Sequence, residues 1–172
     1  MGIEIERKFL VAGQGWRQAV RGQGVPMRQG YLSAPGPHAA HVRVRLAGAH
    51  AFLTIKGPAL AGSSGQVRPE FEYPIPPEDA EGLLALCAAP PLVKTRYEVP
   101  HEGHVWTVDV FEAPAHFAGL MLAEVELPDV AVQPGLPDWL GAEVTDDPRY
   151  TNAALAIAKP QPGWGFAPPG GG

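Results

Sequence analysis

The sequence predicts an α+β fold that is mostly β, with the sheet closed into a barrel around a charged interior and a few peripheral helices. Three observations carry this. The chain holds 21 glycines and 20 prolines in 172 residues, with prolines clustered at 35–37, 74–77, 90–91, 134–137 and 160–169. Proline interrupts helix interiors and central strands, so the elements between these clusters are short. Within them, apolar and charged residues alternate with the two-residue period of a strand. The charged faces repeat one sign at i and i+2: Glu4/Glu6, Arg43/Arg45, Glu70/Glu72, Lys94/Arg96 and Glu124/Glu126.

Residues 3–10 form the first element, with Glu4, Glu6 and Lys8 on one face and Ile3, Ile5, Arg7 and Phe9 on the other. Residues 13–26 are Gly-rich and read as a connection holding a short helix around 16–20. Gln29-Gly30-Tyr31-Leu32 is a second strand, closed by Pro35-Gly36-Pro37. Residues 41–46 set Arg43 and Arg45 opposite Val42 and Val44; Ala49-His50 turns the chain back through 52–56, and a loop at 57–66 follows. Residues 67–75 bring Arg68, Glu70 and Glu72 to one face. Pro76-Pro77-Glu78-Asp79-Ala80-Glu81 starts a helix, since acids favour the first turn. It runs on through the apolar residues 83–88 and stops at Pro90-Pro91. Residues 93–99 carry Lys94, Arg96 and Glu98, residues 105–111 carry Asp109, and residues 121–127 carry Glu124 and Glu126. A short strand at 143–145 follows, then Asp146-Asp147-Pro148 as a cap for a terminal helix at 150–159. Residues 1–159 read as one domain, and 160–172 as a disordered Pro/Gly-rich tail.

Any one of these strands alone reads as a half-solvated surface. Together they do not. Like charges on one face stand about 7 Å apart and gain nothing from each other. A closed sheet turns them inward, where they must be hydrated, paired or matched to a charged ligand. The carboxylates Glu4, Glu6, Glu70, Glu72, Asp109, Glu124 and Glu126 suit hard cations such as Mg²⁺ or Mn²⁺, which prefer oxygen ligands. The cations Lys8, Arg43, Arg45, Lys56, Lys94 and Arg96 suit a polyanion, because arginine forks onto phosphate.

Composition excludes other classes. A net charge of −5 disfavours nucleic acid and anionic membranes as partners. A single cysteine, Cys87, allows no internal disulfide and points to a reducing compartment. Charges begin at residue 4, unlike a signal peptide, and no apolar run approaches the ~20 residues of a membrane span. The expectation is a cytoplasmic protein with a small-molecule partner, its oligomeric state open and a homodimer among the options. The histidines lack the His-Glu-x-x-His spacing of zinc helices, and no P-loop or dinucleotide fingerprint occurs.

At these residues the chain resembles the CYTH family, the triphosphate tunnel metalloenzymes. Its Glu-x-Glu-x-Lys signature is Glu4-Ile5-Glu6-Arg7-Lys8. The supporting pieces follow in order: Gln29-Gly30-Tyr31-Leu32, Val42-Arg43-Val44-Arg45, Thr54-Ile55-Lys56-Gly57, Glu70-Phe71-Glu72, Lys94-Thr95-Arg96-Tyr97, Trp106-Thr107-Val108-Asp109 and Glu124-Val125-Glu126-Leu127. The resemblance implies an eight-stranded antiparallel tunnel and metal-dependent hydrolysis of a linear triphosphate, most like the short bacterial inorganic triphosphatases. On that footing Glu4 and Glu6, with Glu126 or Glu124, are expected to hold a first metal ion. Asp109 with Glu70 or Glu72 would serve a second metal or the attacking water. Lys8, Arg43, Arg45, Lys56, Lys94 and Arg96 would hold the phosphoryl groups. Tyr31, its pKa lowered by Lys8, is the first candidate for general base, and Glu72 the second. The rival readings are a nucleotidyl cyclase, a thiamine or nucleoside triphosphatase, a non-catalytic polyphosphate-binding module, and an open β-sandwich with solvated charges.

Overall fold

The computed structural model describes residues 2–33, 40–58, 60 and 67–159. The expected tail at 160–172, the Pro35-Gly36-Pro37 turn and most of the 57–66 loop lie outside the described residues.

β1 (Gly2–Val11) leads through a 3-10 turn at Gly15–Ala19 into β2 (Arg21–Tyr31). β3 (His41–Ala47) and β4 (His50–Lys56) form a hairpin, and β5 (Val67–Ile75) precedes α1 (Pro77–Ala85). β6 (Leu92–His101) and β7 (His104–Ala113) form a second hairpin. Its turn places Glu102 and Gly103 at φ 44° and 79°, the left-handed pair that a tight two-residue hairpin requires. β8 (Met121–Glu126), β9 (Leu140–Glu143) and α2 (Asn152–Ile157) follow.

The sheet runs β5-β4-β3-β2-β6-β7-β8-β1, with every neighbouring pair antiparallel. β1 then pairs with β5, Gly2 opposite Glu70 and Ile5 opposite Val67, which closes an eight-stranded barrel. The open-sandwich alternative ends there. β9 adds to β1 at Phe9 and Val11, beyond the closing pair.

β2 is longer than its sequence suggests, because glycine there serves close approach rather than a loop. A β-carbon at Gly24 would lie 2.5 Å from Thr95 and 2.6 Å from Tyr97 of the neighbouring β6. The last strand sits at Leu140–Glu143 rather than 143–145, and the terminal helix is shorter than expected. Asp147 caps a 3-10 turn at Pro148–Tyr150, accepting from the Arg149 amide at 3.0 Å. Thr151, not the Asp-Asp-Pro segment, caps α2 by accepting from the Ala154 amide at 3.1 Å.

Outside the barrel, Phe9, Val99, Trp106, Val108, Ala123 and Val125 are covered by Trp16 and Trp139. α1 lays Ala80 and Leu84 on Val44 and Ala51. A third cluster fills one end of the bore. Leu92, Phe111 and Leu122 share the inward face with Gln29, Lys94 and Asp109, and pack with Phe117, Leu120, Leu155 and Ala156. α2 is thus a stopper. Away from it each inward face turns from apolar to charged: Leu10-Lys8-Glu6-Glu4 on β1, Leu122-Glu124-Glu126 on β8, Leu92-Lys94-Arg96 on β6, Phe111-Asp109 on β7. Among the described residues no helix is long and apolar enough to cross a membrane.

Candidate active site

The charged part of the bore is a cavity of about 580 Å³, within the range of small-molecule sites. Glu4, Glu6, Lys8, Tyr31, Arg43, Arg45, Lys56, Glu70, Glu72, Arg96, Glu124 and Glu126 all line it, as their strand parity predicts.

β1, β5 and β8 build an acidic wall. Glu6 stands directly opposite Glu126, and Lys8 opposite Glu124. Lys8 Nζ lies 3.0 Å from Glu124 Oε1 and 3.8 Å from Glu6 Oε1, and donates to the Tyr150 carbonyl at 3.3 Å. Burial opposes its charge, but Glu124 and Glu6 prevail and raise its pKa. Glu124 is pushed upward by burial, yet Lys8 and Arg96 hold it well below the usual carboxylate range. Glu126 makes no ion pair among the described residues. Burial and the charges of Glu4 and Glu6 raise its pKa.

β3 and β4 supply the basic wall, which meets the carboxylates of β5. Glu72 Oε2 accepts from Thr54 at 2.8 Å, Arg45 at 3.1 Å and Arg43 at 3.4 Å. Lys56 Nζ donates to Glu4 and lies 3.6 Å from Glu70. Burial and the neighbouring Arg43 push Arg45 down to about 10. The Nε groups of Arg43 and Arg45 are buried without an acceptor among the described residues, so this wall has hydrogen-bonding capacity that its own carboxylates do not satisfy.

Two expected site residues lie behind the lining. Lys94 and Asp109 are 1% and 2% exposed, at the boundary with the apolar plug. Asp109 accepts from Arg96 on both oxygens at 2.7 Å and also binds Lys94. Burial pushes the Asp109 pKa up, but Arg96 and Lys94 outweigh it and hold the group low. With both oxygens engaged, this carboxylate anchors the basic floor beneath the cavity lining. Lys94 is pushed down to about 8 by burial, against the pull of Asp109, and donates to Asn152 of α2 at 3.2 Å. The lowering expected of the Tyr31 pKa depends on Lys8 lying close to its hydroxyl. Burial raises its pKa and outweighs the opposing charges of Arg43, Lys8 and Arg68. Its hydroxyl accepts from Gln29 at 3.4 Å, and Lys8 turns to carboxylates and the Tyr150 carbonyl.

The sequence reading left Arg68 out of the site, although parity places it beside Glu70 and Glu72. It lines the cavity and binds Glu4 at 3.1 Å and Glu6 at 3.0 Å. Thr151, Asn152 and Ala153 also reach the cavity from the stopper, which strand parity could not reveal.

The donor chemistry fits a divalent cation: Glu4, Glu6 and Glu126 offer hard oxygens, and burial together with the charges of Glu4 and Glu6 raises the Glu126 pKa. Two of them are presently engaged by Lys56 and Arg68. Among the described residues no three acidic, histidine or cysteine side chains already converge as a ligand group.

A closed antiparallel barrel, stoppered at one end, that opposes carboxylates to guanidinium and ammonium groups across one cavity defines the class of β-barrel proteins with a charged bore. The chain belongs to the CYTH domain family, which it matches over residues 2–151. It is 42% identical over 156 residues to a protein of Acetivibrio thermocellus named inorganic triphosphatase, covering 90% of this chain and 94% of the relative. It is 40% identical over 163 residues to a protein of the same name from Nitrosomonas europaea, covering 91% and 99%. The crystal structure of an inorganic triphosphatase superposes with a TM-score of 0.62 at 37% identity, covering 92% of this chain and all of that one.

Proposed function

We propose that this chain hydrolyses a linear triphosphate with the help of a divalent cation, and that its substrate is inorganic tripolyphosphate, cleaved by water to pyrophosphate and phosphate. The observation that carries this reading is the bore: Arg43, Arg45, Lys56 and Arg96 confront Glu4, Glu6 and Glu126 across one enclosed cavity. Kinship adds to it, since two relatives named inorganic triphosphatase are matched along nearly their whole length.

Mg²⁺ or Mn²⁺ is the proposed cation, held by Glu4, Glu6 and Glu126 with Glu124 beside them. Once bound it neutralises charge on the phosphoryl oxygens. The protein's own contribution is positioning and charge. Arg43, Arg45, Lys56 and Arg96 grip the phosphoryl chain, Lys8 adds charge from the acidic wall, and Lys94 supports Arg96 from behind. Glu70 and Glu72 remain for a second cation or for orienting water. Tyr31 Oη is the first choice to take the proton from water. Arg43 and Lys8 favour its phenolate and burial opposes it, so it needs those charges close during turnover. Glu72, exposed and next to the arginines, is the second choice. A cytoplasmic setting is part of this reading, supported by a single cysteine, Cys87, which allows no internal disulfide.

Phosphate release from tripolyphosphate, ATP and thiamine triphosphate, each with Mg²⁺ and with Mn²⁺, tests the reading. Tripolyphosphate should be cleaved fastest, the double variant Glu4→Ala/Glu6→Ala should be inactive, and Tyr31→Phe should lose about 10²-fold or more. Near-normal turnover in Tyr31→Phe would move the base to Glu72. No release with either metal would sink the enzyme reading.

A further inference from the structure

Arg68 has no part in the mechanism above, yet it occupies its centre. It faces Glu4 directly across the β1–β5 seam that closes the barrel. Its Nε donates to Glu4 Oε2 at 3.1 Å and its Nη2 to Glu6 Oε1 at 3.0 Å, so one guanidinium spans both carboxylates. Arg68 is thus the bridging cation of Glu4 and Glu6, and Glu126 stands opposite Glu6 on the neighbouring strand. Burial opposes the charge of Arg68, and Glu6 and Glu4 overcome it, so the pair is a tight one. A divalent ion bound by Glu4 and Glu6 would sit on the same two carboxylates, two of whose four oxygens Arg68 already engages. Two cations cannot share them at van der Waals distance without strong repulsion. Arg68 also lines the cavity that Lys56 and Arg43 line, so a guanidinium released from Glu4 and Glu6 meets the anion.

We propose that Arg68 is an internal counter-ion that competes with the divalent cation for Glu4 and Glu6 and passes to the phosphoryl chain when the metal binds. The inference rests on the reading of Glu4 and Glu6 as metal ligands. It makes metal and triphosphate binding mutually supportive: the metal frees Arg68 for the anion, and the anion draws Arg68 off the metal oxygens. Such coupling is reciprocal by thermodynamic necessity. It also keeps the acidic corner neutralised until both ligands arrive.

The test is Mn²⁺ binding to the full chain, followed by electron paramagnetic resonance without any phosphate, for wild type, Arg68→Gln, Arg68→Lys and Glu4→Gln/Glu6→Gln. Arg68→Gln should bind Mn²⁺ about 5-fold or more tightly than wild type, in the usual range of coupling between sites, and Arg68→Lys should fall between them. In turnover, the Mn²⁺ concentration for half-activation of Arg68→Gln should fall while KM for tripolyphosphate rises. Unchanged or weaker Mn²⁺ binding by Arg68→Gln, with circular dichroism showing a folded protein, would overturn the proposal. Glu4→Gln/Glu6→Gln separates the two ideas. If it abolishes Mn²⁺ binding while Arg68→Gln gains nothing, the counter-ion role fails and the metal site stands. If it leaves Mn²⁺ binding intact, the metal reading itself fails and takes the proposal with it.

Discussion

Asp109 shows how far a residue's role depends on depth. It alternates in step with the inward charges, so parity alone sets it beside Glu124 and Glu126. What parity does not give is its distance from the stopper. Phe111, two residues on, belongs to the apolar plug, so Asp109 sits at the dry edge of the bore, where both its oxygens accept from Arg96 and one of them also from Lys94. Asp109→Asn removes one partner of a buried ion network, which costs about 3–5 kcal/mol, and urea denaturation at pH 7 should read that loss. The acid limb should change too. Asp109 has a folded pKa below its unfolded value near 3.9, so its stabilisation is present above about pH 4 and is lost as pH falls further. Wild type should lose melting temperature steeply below pH 4 and the variant less steeply. Equal slopes would mean Asp109 is not the titrating anchor. Arg68 is the converse case. It was legible by parity, but its sign differs from Glu70 and Glu72, and a search for like-signed pairs passes over it.

Elements were legible wherever alternation was unbroken. β1, β3, β4 and β5 fall where the pattern places them, because each carries one charged and one apolar face. β2 did not, since its Gly-rich first half fits a crowded seam against Thr95 and Tyr97 and carries no alternation to read. α2 was legible as a helix and illegible as a stopper. Its apolar residues do not name their partner, and Leu92, Phe111 and Leu122 look like ordinary strand positions until the sheet closes. Leu155 is fully buried among them. Leu155→Ala should cost about 2–5 kcal/mol through lost burial and the cavity left behind. Because Asn152 and the Tyr150 carbonyl hold Lys94 and Lys8, a loosened stopper should also raise KM for tripolyphosphate. A stability loss with KM unchanged would show that α2 closes the barrel without helping to place those lysines.

At the scale of the whole molecule, barrel closure and charge are one problem. The like-signed faces are tolerable because each acidic run meets basic residues: closure of β1 on β5 sets Glu4 against Arg68 and Lys56, while the β1–β8 pairing and β6 set Glu124 against Lys8 and Arg96. That internal neutralisation leaves donors without acceptors on the basic wall and Glu126 without a cation among the described residues. Anion and cation should therefore stabilise the fold more together than the sum of each alone. A ligand that binds only the native state at 100 times its Kd adds about 2.7 kcal/mol, worth about 5–11 °C in a chain of this size. Differential scanning calorimetry with tripolyphosphate, Mg²⁺ and both should show a shift of at least that size for the pair, and smaller shifts for either alone. Arg68→Gln should narrow the gap between the joint shift and the separate ones, since the competition that couples them is gone. Equal additive shifts in wild type would mean that the two walls bind their ligands independently, and that closure of the barrel serves stability without linking the sites.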